Sequence, residues 1–572
     1  KIAHTWQPCT EQQRQPRSLQ DINLLLYMHA AQLSKKTSIA EAISHLLPKN
    51  SKLPPEELEE YLEQLADKVV FIIDSYDEGC KDNRLLEELI KKETMPQATV
   101  VLTSRFNFVT SLQKYFDITC DLQGYDWEHR MEHVGRFAQH KGIPFQDFQP
   151  LIEKMRGELR ELSSNPLTLT LICLLFKEDK ELLTTTRTGL YKSIDAFIVK
   201  TACKRMKCPK EEVKELLAQL SRLAYEAYRK GDCVILEKDL AAVCDAKKVP
   251  HLGYVRKEFQ PLTDEFERPV CYSFPHKTLM EFLCARHLSA NKEERDEFMK
   301  ELLDDYEKNE TVITFLFGLL QSSPEALTDM ANAVMQHTRF TAMHLQQKYA
   351  RCPPSHRILQ LVAELSEVPP PLMTLITSHC PHRIDTTRCS SKCIMGLTRM
   401  LPLIKGKNIA LSLRYPKVEN NASFLNAVAT CTSITSIEIW YCSDLPACFS
   451  SLRIAQSTSI EHVKIIIGRM KKGDQLHLPG VLHGLELIAC DLEVTQCLLG
   501  DVAKKDVIST LSIQQCGLND VIKGMVREIL MKDTLRNVSL TSPYDQPMNE
   551  FLSSLTNHHN LRSLKITLRR MS

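Results

Sequence analysis

Three short apolar runs open the chain: Asn23 to His29 (NLLLYMH), Lys68 to Asp74 (KVVFIID) and Ala98 to Ser104 (ATVVLTS). Runs of this length, rich in Val and Ile, predict parallel strands covered on both faces. Between them, Ser38 to Leu47, Pro54 to Leu65 and Leu85 to Lys92 carry apolar residues at helical spacing, so the first ~120 residues predict a partial doubly wound sheet. From about Gly124 to Ser289 the pattern turns helical, with LIEKMRGELRELSSNPLTLTLICLLF and EEVKELLAQLSRLAYEAY placing apolar residues three and four apart. Glu211 and Glu212 follow Pro209, where acidic groups suit the first turn of a helix. The helical pattern resumes from Lys292 to about Ile376 and is broken by Pro369-Pro370-Pro371, which predicts a boundary near residue 380.

Beyond that boundary the pattern L-x-x-L-x-L-x-x-C recurs. It reads Ile434, Ile437, Ile439, Cys442; then Leu482, Leu485, Leu487, Cys490; then Ile508, Leu511, Ile513, Cys516. Weaker copies are Ile460, Val463, Ile465; Leu535, Val538, Leu540; and Leu561, Leu564, Ile566. Successive starts differ by 26, 22, 26, 27 and 26 residues, the period of leucine-rich repeats. Each copy offers one short strand that cannot bury its apolar side chains alone, so the copies are expected to stack into a curved solenoid, with the Cys after the strand turning the chain.

Composition narrows the function. Lys+Arg 72 against Asp+Glu 71 leaves a net charge of +1 over 572 residues, so no global field draws the chain to nucleic acid or to an anionic membrane. The longest apolar stretches, Leu167 to Phe176 and Val312 to Leu320, are far shorter than the ~20 residues that span a bilayer. Twenty cysteines are scattered through the sequence, and Cys173 and Cys284 sit in apolar settings, which predicts reduced thiols and a cytoplasmic setting.

The sharpest local signal is Val69-Val70-Phe71-Ile72-Ile73-Asp74-Ser75-Tyr76-Asp77-Glu78. In a nucleotide-hydrolysing α/β fold the carboxylate that ends the strand, here Asp74, holds Mg²⁺ directly or through water, and the next acidic residues, Asp77 and Glu78, polarise the attacking water. An acidic turn after a strand gives the same letters without that chemistry. The run Thr99 to Arg105 ends a neighbouring strand in a guanidinium, 31 residues beyond Asp74, from which Arg105 can reach a γ-phosphate. Alone it reads equally as a solvated Arg. Together the two segments place phosphate and metal chemistry on one carboxyl edge of one sheet.

These segments resemble the NACHT module of NOD-like receptors. FIIDSYDE is similar to the family's extended Walker B and TVVLTSR to its sensor 1. Ser164-Asn165-Pro166-Leu167 resembles the motif of the first helical domain, and Tyr272 to Leu283 resembles the winged-helix signature F-x-H-x-x-x-x-E-F-L. The resemblance implies that Pro166 packs on adenine and that His276 contacts the ADP β-phosphate; by itself Pro166 reads as a helix start and His276 as a packed or surface histidine. No G-x-x-x-x-G-K-[ST] occurs in the sequence. The opening Lys1 to Trp6 resembles the helix that follows this loop in the family, so the phosphate loop and any death-fold effector domain are expected upstream of residue 1.

One further cluster holds His379, Cys380, His382, Cys389 and Cys393 within fifteen residues. It lacks the paired C-x₂-C knuckles of a zinc site and reads as unligated thiols at a domain junction.

The expected architecture is multidomain α/β and α: a partial P-loop NTPase (NACHT) sheet over residues 1–122, a helical domain over 123–200, a winged helix over 201–290, a second helical domain over 291–379 and a leucine-rich repeat solenoid over 380–572. The resemblance implies a cytoplasmic sensor of innate immunity in which ADP holds a closed state and ATP with Mg²⁺ permits homo- or hetero-oligomerisation through NACHT. Protein partners would bind the repeats, with no role for nucleic acid or membrane. STAND-class ATPase activity would require the phosphate loop, and the 572 residues alone are expected to be inactive. The competing reading is a non-hydrolysing repeat scaffold with a degenerate NACHT module.

Overall fold

The computed structural model describes residues 22–33, 36–44, 54–76, 83–104, 109–157, 159–160, 162–178, 184, 186–231, 234–259, 270–338, 356–386, 389–414, 418–516, 519–542 and 560–568. They divide into two compact units, one formed by residues 1–153, 163–178 and 194–313 and the other by residues 154–162, 179–193 and 314–572.

The first unit opens with a parallel sheet of β1 (Leu24–His29), β2 (Val69–Asp74) and β3 (Thr99–Leu102), in the order β1-β2-β3. Leu26 pairs with Phe71 and Phe71 with Val100, so alternate residues line a common face. Leu26, Met28, Phe71 and Ile73 on that face are buried in one core with Ile43, Leu62, Leu86 and Leu89, which come from the helices Ile39–Ile43, Pro55–Gln64 and Arg84–Ile90. Ser38 accepts from the Glu41 N–H while Glu41 accepts from the Thr37 N–H and hydroxyl, which closes the first helical turn. Asn83 caps the helix Arg84–Ile90 through the Leu86 N–H and donates its buried amide to the Ala30 carbonyl at 2.8 Å, tying that helix start to the end of β1.

The opposite face departs from the expectation of strands covered on both sides. Leu25 and Tyr27 are each 57% exposed, and β1 alternates exposed and buried residues. The outward residues of the other two strands are half-buried, Val70 and Ile72 on β2 and Val101 on β3, so the open part of this face among the described residues is that of β1.

The remainder of this unit is mostly helical, as its 3.6-residue pattern requires, with Trp127–Lys141, Pro166–Glu178, Lys210–Lys230 and Lys277–Ala290 among its long helices. A small antiparallel sheet of β4 (Val234–Leu236), β5 (Arg256–Phe259) and β6 (Val270–Ser273), in the order β4-β6-β5, sits between the last two in sequence. Asp195 anchors this region by accepting from the Tyr254 hydroxyl at 2.5 Å and from Arg286 at 2.7 Å with both carboxylate oxygens.

The second unit carries an eight-stranded, wholly parallel sheet: β7 (Arg383–Asp385), β8 (Ile409–Arg414), β9 (Ile434–Cys442), β10 (His462–Gly468), β11 (Gly484–Ile488), β12 (Thr510–Gln514), β13 (Asn537–Ser542) and β14 (Ser563–Leu568), each beside its neighbour in sequence. The recurring sequence positions fall in register. Ile384, Leu411, Ile437, Val463, Leu485, Leu511, Val538 and Leu564 form one ladder, and Leu413, Ile439, Ile465, Leu487, Ile513, Leu540 and Ile566 a second, two residues on. Two copies, β7 and β8, precede those recognised in the sequence, because β7 is only three residues long and a bulge at Ile409/Ala410 breaks the spacing of β8.

On four of the strands, β9 to β12, the residue that turns the chain is the one before the expected Cys, or before Gly468 on β10. Tyr441, Ile467, Ala489 and Gln515 all have φ between +49° and +56°, whereas Cys442, Cys490 and Cys516 point inward and are buried. The left-handed backbone makes the corner. The 22-residue interval differs from the others in kind: helices Leu445–Ser451, Leu492–Ala503 and Asp520–Leu530 return the chain elsewhere, but residues 469–483 contain none. Among the described residues no helix is long and apolar enough to cross a membrane.

Candidate functional site

At the carboxyl edge of the first sheet the parallel register sets His29 opposite Asp74. The chain leaves β2 through Ser75 in the left-handed region, φ +58°, and the Ser75 N–H donates to Thr103 Oγ1 at 3.0 Å. The Thr103 N–H donates to the Ile73 carbonyl and the Tyr76 N–H to the Thr103 carbonyl, both at 2.9 Å, so the segments after β2 and β3 are laced together. This lacing brings the Thr103 hydroxyl onto Asp74 Oδ1, to which it donates, while the Tyr27 hydroxyl donates to Asp74 Oδ2 at 3.0 Å.

The result is an ionised carboxylate in a polar setting. Partial burial pushes the Asp74 carboxyl upward, but the hydroxyls of Thr103 and Tyr27, the nearby His29 and the Ser75 N–H outweigh it and hold the group below its usual range. The same hydrogen bond raises the Tyr27 phenol, which stays protonated as the donor. A carboxylate has about four lone-pair directions, and two hydroxyl donors leave acceptor capacity for a hydrated cation. Asp74 thus fits the role of a Mg²⁺ ligand, direct or through water.

Asp77, Glu78 and Arg105, the other residues expected on this edge, lie outside the described residues. Pro166 and His276 stand on other elements, each at a helix start. Asn165 Oδ1 accepts from the Thr168 N–H at 3.0 Å, so Pro166 occupies the first helical position behind a side-chain cap, and it is exposed. The backbone before it is held by Gly124, where a β-carbon would lie 2.6 Å from the Ser164 carbonyl oxygen, and by the Tyr125 N–H, which donates to that oxygen at 2.7 Å. His276 caps the helix Lys277–Ala290, its Nδ1 accepting from the Thr278 N–H at 3.1 Å. With Nδ1 as acceptor, a neutral ring carries its proton on Nε2, the donor a phosphate oxygen needs.

Sequence reasoning passed over Tyr27 and Thr103 as functional residues. Thr103 was legible as the first polar residue past β3; Tyr27 becomes visible only through the β1–β2 register, which no local spacing reveals.

A comparison with curated proteins gives no match. Residues 1–141, which contain this sheet and its acidic edge, match the NACHT domain, a module of the P-loop NTPase type.

Proposed function

We propose that the protein is a nucleotide-controlled signalling receptor of the NOD-like type. The observation that carries this reading is the ionised, doubly hydrogen-bonded Asp74 at the carboxyl edge of β2 within the NACHT-matched segment. Asp74 would hold Mg²⁺ on an ATP or ADP phosphate, Asp77 and Glu78 would position water and Arg105 would meet the γ-phosphate. Pro166 would pack on adenine, and His276 would give its Nε2 proton to the β-phosphate, so that ADP ties the winged helix to the sheet and ATP releases it.

The repeats supply the sensing surface in this reading. The register between the two apolar ladders is polar; its half-buried members Glu438, Lys464, Glu486 and Ser539 reach the surface while Ser412 and Ser512 are buried, and it is cross-linked by Arg383–Glu438 at 2.8 Å and Lys464–Glu486 at 2.9 Å. Such a ladder suits a protein partner in the cytoplasm, and its engagement would free the NACHT module to oligomerise.

A second reading, a scaffold that never exchanges nucleotide, is favoured by the structural uses the same residues already have: Asp74 fastens Tyr27 and Thr103, and His276 and Asn165 cap helices. The deciding experiment measures nucleotide released on denaturing protein purified from its complete open reading frame, beside Asp74→Asn and His276→Asn. Bound ADP, diminished in either variant, supports the switch. A wild type that carries no nucleotide and binds none at millimolar ATP with Mg²⁺ leaves the scaffold.

A further inference from the structure

We propose that His356, Cys389 and Cys393 form a zinc site that clips two helices together at the start of the parallel-sheet unit. A ring nitrogen of His356 and the sulfurs of Cys389 and Cys393 all lie within 4.8 Å of one another. Nδ1 is 3.4 Å from Cys389 Sγ. In a tetrahedral site with Zn–N of 2.0–2.1 Å and Zn–S of 2.3 Å, a nitrogen and a sulfur ligand stand about 3.5 Å apart and two sulfurs about 3.8 Å, so the Nδ1–Cys389 pair already has a ligand pair's spacing and Cys393 Sγ lies within about 1 Å of it.

The backbone builds this geometry. Residue 356 immediately precedes the helix Arg357–Val362, and Cys393 lies in the first turn of the helix Ser391–Met400, whose N-cap Ser390 accepts from the Cys393 N–H. Gly396 lets the two helices touch: a β-carbon there would lie 2.7 Å from the Leu359 carbonyl carbon and closer still to its oxygen. Arg399 fastens the far end by donating to the carbonyls of Val362, Ala363 and Leu365. Cys393 and His356 are buried, at 0% and 1% exposure, and Cys389 is half-buried on the solvent side.

The chemistry suits a dication. Two thiolates balance Zn²⁺, so the loaded site is neutral where His356 and Cys393 are out of water. The set is Cys₂His, with the fourth tetrahedral position completed by solvent or a further ligand.

The site differs from the cluster the sequence suggested. His379 Nδ1 is engaged with the Leu375 carbonyl at 3.0 Å and His382 Nδ1 with the Asn408 carbonyl at 3.3 Å. Burial pushes the Cys380 thiol up to about 12, which keeps it protonated. His356, 33 residues before Cys389, takes their place. Without metal the same atoms serve as thiol hydrogen bonds, Cys389 to His356 Nδ1 and Cys393 to the His356 carbonyl at 3.7 Å, which is the reading the experiment must defeat.

The test uses the whole purified chain, reduced, loaded with Zn²⁺ and freed of loosely bound metal by a competing chelator. Elemental analysis of the wild type should find one zinc that Cys389→Ser lacks, with the variant's circular dichroism unchanged. Replacing zinc by Co²⁺ in the wild type should give the intense visible bands of a tetrahedral site with thiolate-to-cobalt charge transfer, and these should fall with Cys389→Ser and shift with His356→Gln. Zinc that survives the chelator equally in wild type and Cys389→Ser belongs to other thiols and overturns the proposal. So does a wild type that retains none, or whose Cys389 and Cys393 are recovered as a disulfide from freshly purified protein.

Discussion

Gly396 and Leu359 face each other across two helices at a separation that leaves no room for a side chain: the Leu359 carbonyl occupies the place a β-carbon on residue 396 would take. The contact sets how near the start of the helix Ser391–Met400 comes to His356, and so it governs the proposed metal clip as well as the local packing.

Gly396→Ala should therefore force the helices apart. Overpacking of a tight contact costs about 1–3 kcal/mol, and backbone opposite backbone cannot yield by a rotamer change. The expected outcome is a lower thermal midpoint with faster hydrogen exchange at Leu359 to Ala363. An alanine variant as stable as the wild type would show that the helices have slack at this point.

Asp74 predicts a pH-dependent effect at the sheet edge. Its carboxyl is held below the usual range in the fold, so it contributes stability above the unfolded-state value of about 3.9, and that contribution is lost as pH falls through the lower folded value. Thr103→Val removes the hydroxyl on Oδ1. The variant should be less stable than wild type at pH 7 by roughly 1.5–3 kcal/mol at most, the scale of a hydrogen bond to a charged group, with partial exposure reducing it. In urea unfolding the gap should narrow toward pH 3; a gap unchanged between pH 7 and pH 3 would place the loss in packing instead.

Glu41 titrates on the same side of neutrality for a local reason. The Thr37 N–H and hydroxyl, with Lys36, lower its carboxyl to about 2. Its contribution is complete above 4.5 and is lost as pH falls from 4.5 toward 2. Glu41→Gln should flatten that part of the acid limb by a small amount, since the group is solvent-facing. Comparing acid unfolding of the two proteins between pH 5 and pH 2 checks it.

His276 can be separated into its two uses. His276→Ala removes the cap on the helix Lys277–Ala290 and should cost about 0.5–2 kcal/mol, while His276→Asn restores an acceptor for the Thr278 N–H and should recover most of it. If the imidazole also holds a phosphate, both variants release ADP faster than wild type although only one is destabilised. Equal ADP retention in His276→Asn and wild type would confine the residue to capping.

Ile467 carries a β-branched side chain at φ +56°, where its counterparts Tyr441, Ala489 and Gln515 also turn the chain. Ile467→Asn tolerates that backbone better and should stabilise the repeat unit by up to about 1 kcal/mol, offset by the half-buried apolar surface it gives up. Chemical denaturation of the two proteins decides whether backbone or packing dominates.

The repeat ladder was legible in the sequence because a strand that must bury alternate residues against identical neighbours writes the same letters at a fixed interval, and Val463, Leu485 and Leu511 align in register as the spacing requires. Asp74 was legible for a similar reason: a carboxylate ending an apolar run marks a strand's exit from the core. Local pattern determines which face of an element is apolar and where the element stops. It does not determine what lies across from it. The pairing of Tyr27 and Thr103 with Asp74 depends on parallel register between segments 47 and 29 residues apart, the half-uncovered face of β1 on which side the helices took, and the meeting of His356 with Cys389 and Cys393 on a glycine that lets two helices close. Those relationships are set by packing between segments distant in sequence, and only the tertiary structure decides them.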